Sequence, residues 1–226
     1  MNFKSVEGRL IRWREFSPVG KTAVKKIWVL SGTHGDEIEG IWANRYLVNC
    51  FSKNYPYKNI SICICTEVNP DGVARRKRWN SNDIDLNRNL PTKDWTSEVK
   101  NPRYPPGPSA LSEPESKALI AAFEFYKPVA ILNLHSFWDY QVNVNASEKA
   151  KKACLDWAKL ISGLCHYPVT EDIGYPTPGC LGTYAGKERD IPSITFEFER
   201  GMPKKKVIRN FVPVIIQALQ FWDERG

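Results

Sequence analysis

Short apolar runs alternate with longer amphipathic stretches along this chain, and that alternation predicts strands interleaved with helices. Residues 3 to 16 switch between polar and apolar around Val6, Leu10, Ile11 and Trp13, the pattern of an opening hairpin or edge strand. The run Ile27 to Leu30 reads as a buried strand that opens through Ser31-Gly32-Thr33 onto His34, and a helix is expected from about Asp36 to Asn49, with Ile38, Trp42, Leu47 and Val48 on its apolar face. Ile60 to Cys65 reads as the next strand, running into the turn signal Asn69-Pro70-Asp71-Gly72. From there to about Ala110 the chain is polar, proline-rich and irregular.

Ser112-Glu113-Pro114-Glu115 reads as a capping box, with Ser112 capping and Glu115 reaching back, at the head of a helix that ends at Tyr126 before Pro128. Val129 to Leu134 is then a strand that delivers His135-Ser136 at its carboxyl end. A helix from Ser147 to Leu164, a turn-rich segment from Gly174 to Gly179, a strand from Ser193 to Glu199 and a helix from Lys204 to Trp222 complete the pattern. The expected fold is α/β: one domain over residues 1–226, with a mixed, largely parallel sheet and helices on both faces. Sites gather at the carboxyl ends of such strands.

Composition narrows the class. With 226 residues, 42% of them hydrophobic and 25% charged, the chain suits a globular domain and excludes a disordered or fibrous one. No run approaches a membrane span, and Met1-Asn2-Phe3-Lys4 is not followed by a signal-peptide core, so a cytoplasmic protein is expected, with no membrane partner. The six cysteines form no C-x-x-C pair; Cys63 and Cys65 alternate with isoleucines, as small core residues do. A net charge of +7 comes without any nucleic-acid motif, and an acidic small substrate accounts for it equally well. No nucleic-acid partner is expected, and oligomeric state is left open.

Candidate chemistry gathers at the strand ends. His34 and Glu37, spaced i, i+3 across the expected first helical turn, can aim at one point; the alternative for such a pair alone is a capped helix start. His135 ends a second buried strand, and two imidazoles with one carboxylate make a zinc set that leaves a coordination position open. His166, the last of three histidines, lacks a strand-end position and reads as structural. Glu197 sits in an otherwise apolar strand, where an unpaired carboxylate is costly, and beside a metal it can serve as a base; Glu199 shares its face by period two. The segment from Asn80 to Asn89 has the composition of a site-building loop.

In this order, His34-Gly35-Asp36-Glu37, Asn69-Pro70-Asp71-Gly72, Asp85-Leu86-Asn87-Arg88-Asn89, Leu134-His135-Ser136 and Thr195-Phe196-Glu197 resemble the M14 family of zinc carboxypeptidases, over most of the chain. Ser112 to Glu115, Gly174 to Gly179 and Leu181-Gly182-Thr183 are similar to the bacterial murein peptide amidases within it, which cut the bond between γ-D-glutamate and diaminopimelate. The resemblance implies one zinc per chain on His34, Glu37 and His135, with Glu197 as the base that moves a proton from water to the leaving amine. It implies that Asn87 and Arg88 bind the substrate carboxylate, that Asp85 orients His34, that Arg78 stabilises the oxyanion and that Tyr175 stands at the family's mobile tyrosine.

Some positions depart from the family. Lys77-Arg78-Trp79 replaces the Asn-Arg of the digestive members, which leaves Arg75 and Arg76 as alternatives; Tyr175 lies in a turn with two prolines and reads equally as a packing aromatic; and Cys180 replaces an expected serine. The implied partner is a small peptide with free carboxylates. An ordinary metallocarboxypeptidase is the first alternative function, and a zinc deacylase of N-acyl amino acids the second. A binding module without catalysis would lack the metal set or the base, and this chain has both.

Overall fold

A computed structural model describes residues 3–20 and 25–225; Met1-Asn2, where the expectation of a leaderless start begins, lies outside them. The elements in order are β1 (Phe3–Lys4), β2 (Leu10–Ile11), β3 (Trp13–Phe16), β4 (Lys25–Ser31), α1 (Ile38–Lys53), β5 (Ile60–Cys65), α2 (Pro70–Arg75), α3 (Pro114–Tyr126), β6 (Ala130–Phe137), β7 (Gln141–Asn145), α4 (Glu148–Cys165) and β8 (Val169–Thr170). A π-helical turn (Gly182–Lys187) leads into β9 (Ser193–Glu199), and the chain closes through α5 (Lys204–Lys206), a second π-helical segment (Val207–Phe211) and α6 (Val212–Asp223).

The strands β1 and β2 pair with each other, and the other seven form one sheet in the order β3-β5-β4-β6-β9-β7-β8. Its centre, β5-β4-β6-β9, is parallel, while β3 and β7 run antiparallel to their neighbours β5 and β9. Period two divides the strands between two cores. Ile27, Val29, Ile62, Leu132, Leu134, Ile194 and Phe196 pack in one core with residues of α1, α4 and α6. Trp28, Leu30, Cys63, Cys65 and Ile131 face the other, which Ala118, Leu119, Ala122 and Phe123 of α3 complete. The sheet is therefore mixed, with helices on both faces.

Several local features differ from the sequence expectation. Asn69-Pro70-Asp71-Gly72 opens a helix instead of a simple turn: the Asn69 side chain accepts from Gly72 N, and Pro70 occupies the first turn, where its missing N–H costs nothing. The capping box at Ser112 does not form. Pro114 takes the first helical position and Glu113 becomes the cap residue, so Glu115 turns inward to accept from Val6 N and Asn80 Nδ2. The strands β7 and β8 and the π-helical turn were not expected, because Gln141-Val-Asn-Val-Asn145 is half polar and Val169-Thr170 is too short to register as a run.

Asp71 ties the amino-terminal hairpin to this framework. Its buried carboxylate accepts from Ser5 Oγ at 2.7 Å, Glu7 N at 2.9 Å, Arg9 Nη1 at 2.7 Å and Ser81 Oγ at 3.1 Å. Burial opposes its ionisation, but those donors outweigh burial and hold the carboxyl below its ordinary range. Asp71→Asn should lower the unfolding free energy at neutral pH by ~1–3 kcal/mol, the scale of hydrogen bonds to a charged group. Because the folded pKa is depressed, this stabilisation exists above the unfolded value and is lost as pH falls through the folded one. Denaturant melts of both proteins should therefore begin to converge as pH falls below about 4; a gap that persists unchanged at pH 3 would assign the loss to packing.

Candidate metal and peptide site

The parallel pairing of β4 with β6 matches Leu30 with Asn133 and Ser31 with Leu134, so the loop after β4 leaves the sheet beside His135. His34 and Glu37 both lie in that loop, not across a helical turn: Glu37 is the residue that caps α1, and its N–H reaches back to His34 O at 3.3 Å. His135 lies inside β6, two residues before its end.

The loop is clamped to α2 by a close backbone approach. A Cβ on Gly35 would stand 1.9 Å from the Gly72 carbonyl carbon, so only glycine fits there. Asn69 Nδ2 adds donors to Thr33 O and Arg78 O, both at 3.4 Å, joining the loop to the segment that carries Arg78.

Three ligand atoms converge. His34 Nδ1 lies 2.8 Å from Glu37 Oε1, His135 Nδ1 lies 2.8 Å from Glu37 Oε2, and the two Nδ1 atoms are 3.1 Å apart. The far nitrogens are held from behind. His34 Nε2 lies 3.1 Å from Asp85 Oδ1, and an N–H donated there makes Nδ1 a lone pair. His135 Nε2 faces the Asn133 amide at 2.9 Å, and the Asn133 Oδ1 atom is otherwise buried without a partner. Turning that amide gives Nε2–H an acceptor and makes Nδ1 of His135 a lone pair too. Two imidazole lone pairs and a carboxylate then crowd one point, which only a proton or a cation can relieve; the donor set fits a divalent metal.

The charges around this point alternate. Burial opposes ionisation of Glu37, yet His34 and His135 hold its carboxyl well below the ordinary range. Burial and Arg78 oppose protonation of His34, but Glu37 and Asp85 raise its pKa overall. Arg78 donates from Nε to Asp85 Oδ2 at 3.0 Å and from Nη1 to Glu37 Oε1 at 3.2 Å. Asp85 is depressed against its own burial by Arg78 and His34, and Arg78 is raised against its burial by Asp85 and Glu37. Of the neighbouring arginines, Arg75 pairs with Glu7, and Arg76 is an exposed left-handed cap of α2.

Glu197 stands next to His135 across the β6–β9 pair and lines the same cleft. Burial pushes its carboxyl up to about 7, with His135 opposing the rise and Glu37 adding to it. Glu199 does not join it: this exposed residue lies 3.6 Å from Lys206 Nζ. His166 is an exposed left-handed cap of α4.

Asn87, Arg88 and Tyr175 line the cleft with the three converging ligands and Arg78. Asn87 Oδ1 accepts from Leu181 N at 3.1 Å, and among the described residues Nδ2 has no acceptor. Arg88 donates from Nη1 to Asn87 O at 2.7 Å. Its guanidinium and that of Arg78 both lie 4.9 Å from the ring centre of Tyr104. Tyr175 stacks on the same Tyr104 ring at 6.0 Å, and burial together with Tyr104 pushes its phenol up to about 12.

Tyr104 is the residue that sequence reasoning missed. It lies in an irregular proline-rich stretch and carries no local signal. That stretch is held by two asparagines: Asn80 Nδ2 donates to Glu113 and Glu115 while its Oδ1 accepts from Asn82 N and Ile84 N, and Asn89 Nδ2 reaches Pro106 O, Ser109 O and Ser112 Oγ. Cys180, also in the cleft wall, accepts from Thr183 N at 3.3 Å and so caps the π-helical turn much as a serine would.

Comparison with known proteins agrees with this geometry. Residues 3–213 match the peptidase M14 zinc carboxypeptidase family model. Murein peptide amidase A of Vibrio campbellii is 30% identical over 183 residues, covering 75% of this chain and 67% of its own. Its counterpart in Escherichia coli K12 is 26% identical over 181 residues, covering 75% and 69%. The crystal structure of murein-tripeptide amidase from Escherichia coli O157 superposes with a TM-score of 0.74 at 21% identity, over 97% of this chain and 89% of that one. Bovine thrombin-activatable fibrinolysis inhibitor gives 0.79 at 19% identity, over 100% and 88%. At these identities the two structures speak to the fold alone; the family match and the Vibrio relative go further, and the chain belongs to the peptidase M14 family of zinc carboxypeptidases.

Proposed function

We propose that this chain is a zinc-dependent amidase that hydrolyses the γ-D-glutamyl–diaminopimelate bond of murein peptides. One observation carries the reading: a single cleft joins a three-ligand metal set and Glu197 to a carboxylate clamp of Asn87 and Arg88. The murein peptide amidases among its relatives support that substrate over an ordinary peptide.

Zinc on His34, Glu37 and His135 would polarise the scissile carbonyl and acidify a water beside it. Glu197 takes the proton of the attacking water and returns it to the leaving amine, a task for which a carboxyl with an elevated pKa is suited. Arg78 is anchored on Asp85 through Nε and Nη2, and its Nη1, which donates to Glu37 Oε1 at 3.2 Å, can turn from there toward the developing oxyanion. Asp85 holds the His34 ring in one tautomer. The free Nδ2 of Asn87 and the fork of Arg88 receive the carboxylate of the leaving group. Tyr175 is assigned to close over the bound substrate, leaving its stack on Tyr104 to do so.

No helix among the described residues is long and apolar enough to cross a membrane. A cytoplasmic location belongs to the proposal, and it makes released wall peptides the substrate in place of intact wall.

Glu197→Gln should keep the metal and lose turnover by ~10²–10⁴-fold, since the amide preserves shape and removes the base. Inactivity of Glu199→Gln with near-normal Glu197→Gln would reverse the two roles. The substrate is tested by kcat/KM for L-Ala-γ-D-Glu-diaminopimelate against peptides ending in Lys, Phe or Glu. The murein peptide should win; a preference of about tenfold for any of the others, roughly 1.4 kcal/mol of transition-state binding, would make this an ordinary carboxypeptidase.

A further inference from the structure

Arg88 is a buried guanidinium, and among the described residues no carboxylate pairs with it. Asp85 and Glu37 are engaged by Arg78 and the histidines. Glu98, which lines the adjoining cavity with Arg88, is exposed and lies 3.7 Å from Lys100 Nζ. Asp139, on the lining of the main cleft, is exposed and pairs with neither arginine. Taking a charge out of water without compensation is costly. The compensation here is the ring of Tyr104, whose centre lies 4.9 Å from the Arg88 guanidinium carbon. The Arg78 guanidinium shares that ring at the same distance.

The ring is held by the segments that carry the two arginines. Trp79, next to Arg78, donates from Nε1 to Arg103 O at 2.8 Å, and Asp85 N donates to Pro105 O at 2.9 Å. Asn89, next to Arg88, donates from Nδ2 to Pro106 O at 2.8 Å. Tyr104 N itself donates to Asn101 O at 2.9 Å. Pro105 and Pro106 fix their own φ, and Pro105 steers the Tyr104 backbone away from the helical region.

A carboxylate in place of the ring would compensate Arg88 more strongly, but it would occupy the donor fork that an incoming carboxylate needs. An aromatic face attracts a cation through its quadrupole and leaves the N–H groups in the guanidinium plane free. The same distinction applies to Nη1 of Arg78, which has to leave Glu37 to reach an oxyanion. We infer that Tyr104 is a positioning residue of the hydrolysis: its ring carries the two arginine charges without using their donors, so that clamp and oxyanion donor stay aimed and unoccupied until substrate arrives. The inference rests on the amidase reading above for the roles of Arg88 and Arg78, and Tyr104 acts only through them.

The test changes the electrons of the ring and keeps its shape. Tyr104→Phe, and the full chain with 3,4,5-trifluoro- or pentafluorophenylalanine at position 104, step the ring face from attracting a cation to repelling it. Each is made in zinc-loaded Glu197→Gln protein. Calorimetry then compares L-Ala-γ-D-Glu-diaminopimelate with the same peptide whose carboxylate next to the scissile nitrogen is converted to a carboxamide. The acid should bind more tightly than the amide in the parent and in Tyr104→Phe, and this preference should fall by about tenfold across the fluorinated series. A ring that only fills space would leave the preference unmoved. With Glu197 in place, Tyr104→Leu should keep its zinc, raise KM and lower kcat, by about 25-fold in kcat/KM, the product of about fivefold for each lost guanidinium–ring contact. The same acid and amide pair on an ordinary peptide ending in Phe separates the two readings, because binding of that acid alone overturns the murein substrate and still tests the ring. A preference that stays within about threefold of the parent across the fluorinated series, or no preference for either acid in the parent, would overturn the inference.

Discussion

Everything functional here depends on the in-register parallel pairing of β4, β6 and β9. Pairing Ser31 with Leu134 brings the loop of His34 and Glu37 against His135, and pairing His135 with Glu197 sets the base beside the ligands. A slip of one residue in either pair would turn His135 or Glu197 into the apolar core on the far face. The register is secured by that core: Leu132, Leu134, Ile194 and Phe196 are fully or almost fully buried between the strands and α1, α4 and α6.

The remaining site residues come from irregular chain, and asparagines and carboxylates make that chain rigid. Asn69 joins the loop of His34 to Arg78, Asn80 joins residues 82–84 to α3 through Glu113 and Glu115, and Asn89 anchors residues 106–112. Such networks give a loop the positional accuracy of a strand because each amide satisfies several buried backbone groups at once. Tyr104 is then fixed beneath both guanidinium groups and against Tyr175, so the two ends of the cleft share one aromatic support.

The strands and helices with long apolar patterns were legible in the sequence, as was the convergence of His34 with His135 at one edge; Asp85 and Arg78 came only with the family resemblance, which left Arg75 and Arg76 open beside Arg78. Periodicity fails where the face of a strand is itself polar: β7 was invisible because Gln141, Asn143 and Asn145 turn toward the cleft and not toward water or core. It also fails where proline resets a phase, as Pro114 does for the expected cap at Ser112. Tyr104 could not be singled out, since its partners Arg78, Arg88 and Tyr175 are separated from it along the chain and meet only through the loop network.

The most direct measurement of the central claim is anomalous diffraction at the zinc edge from crystals of zinc-loaded protein. A single strong peak within coordination distance of His34 Nδ1, a Glu37 carboxylate oxygen and His135 Nδ1, with Glu197 outside the coordination shell, is the expected result. A peak held by other side chains, or one that persists at full height in crystals of His34→Ala or His135→Ala, would contradict it.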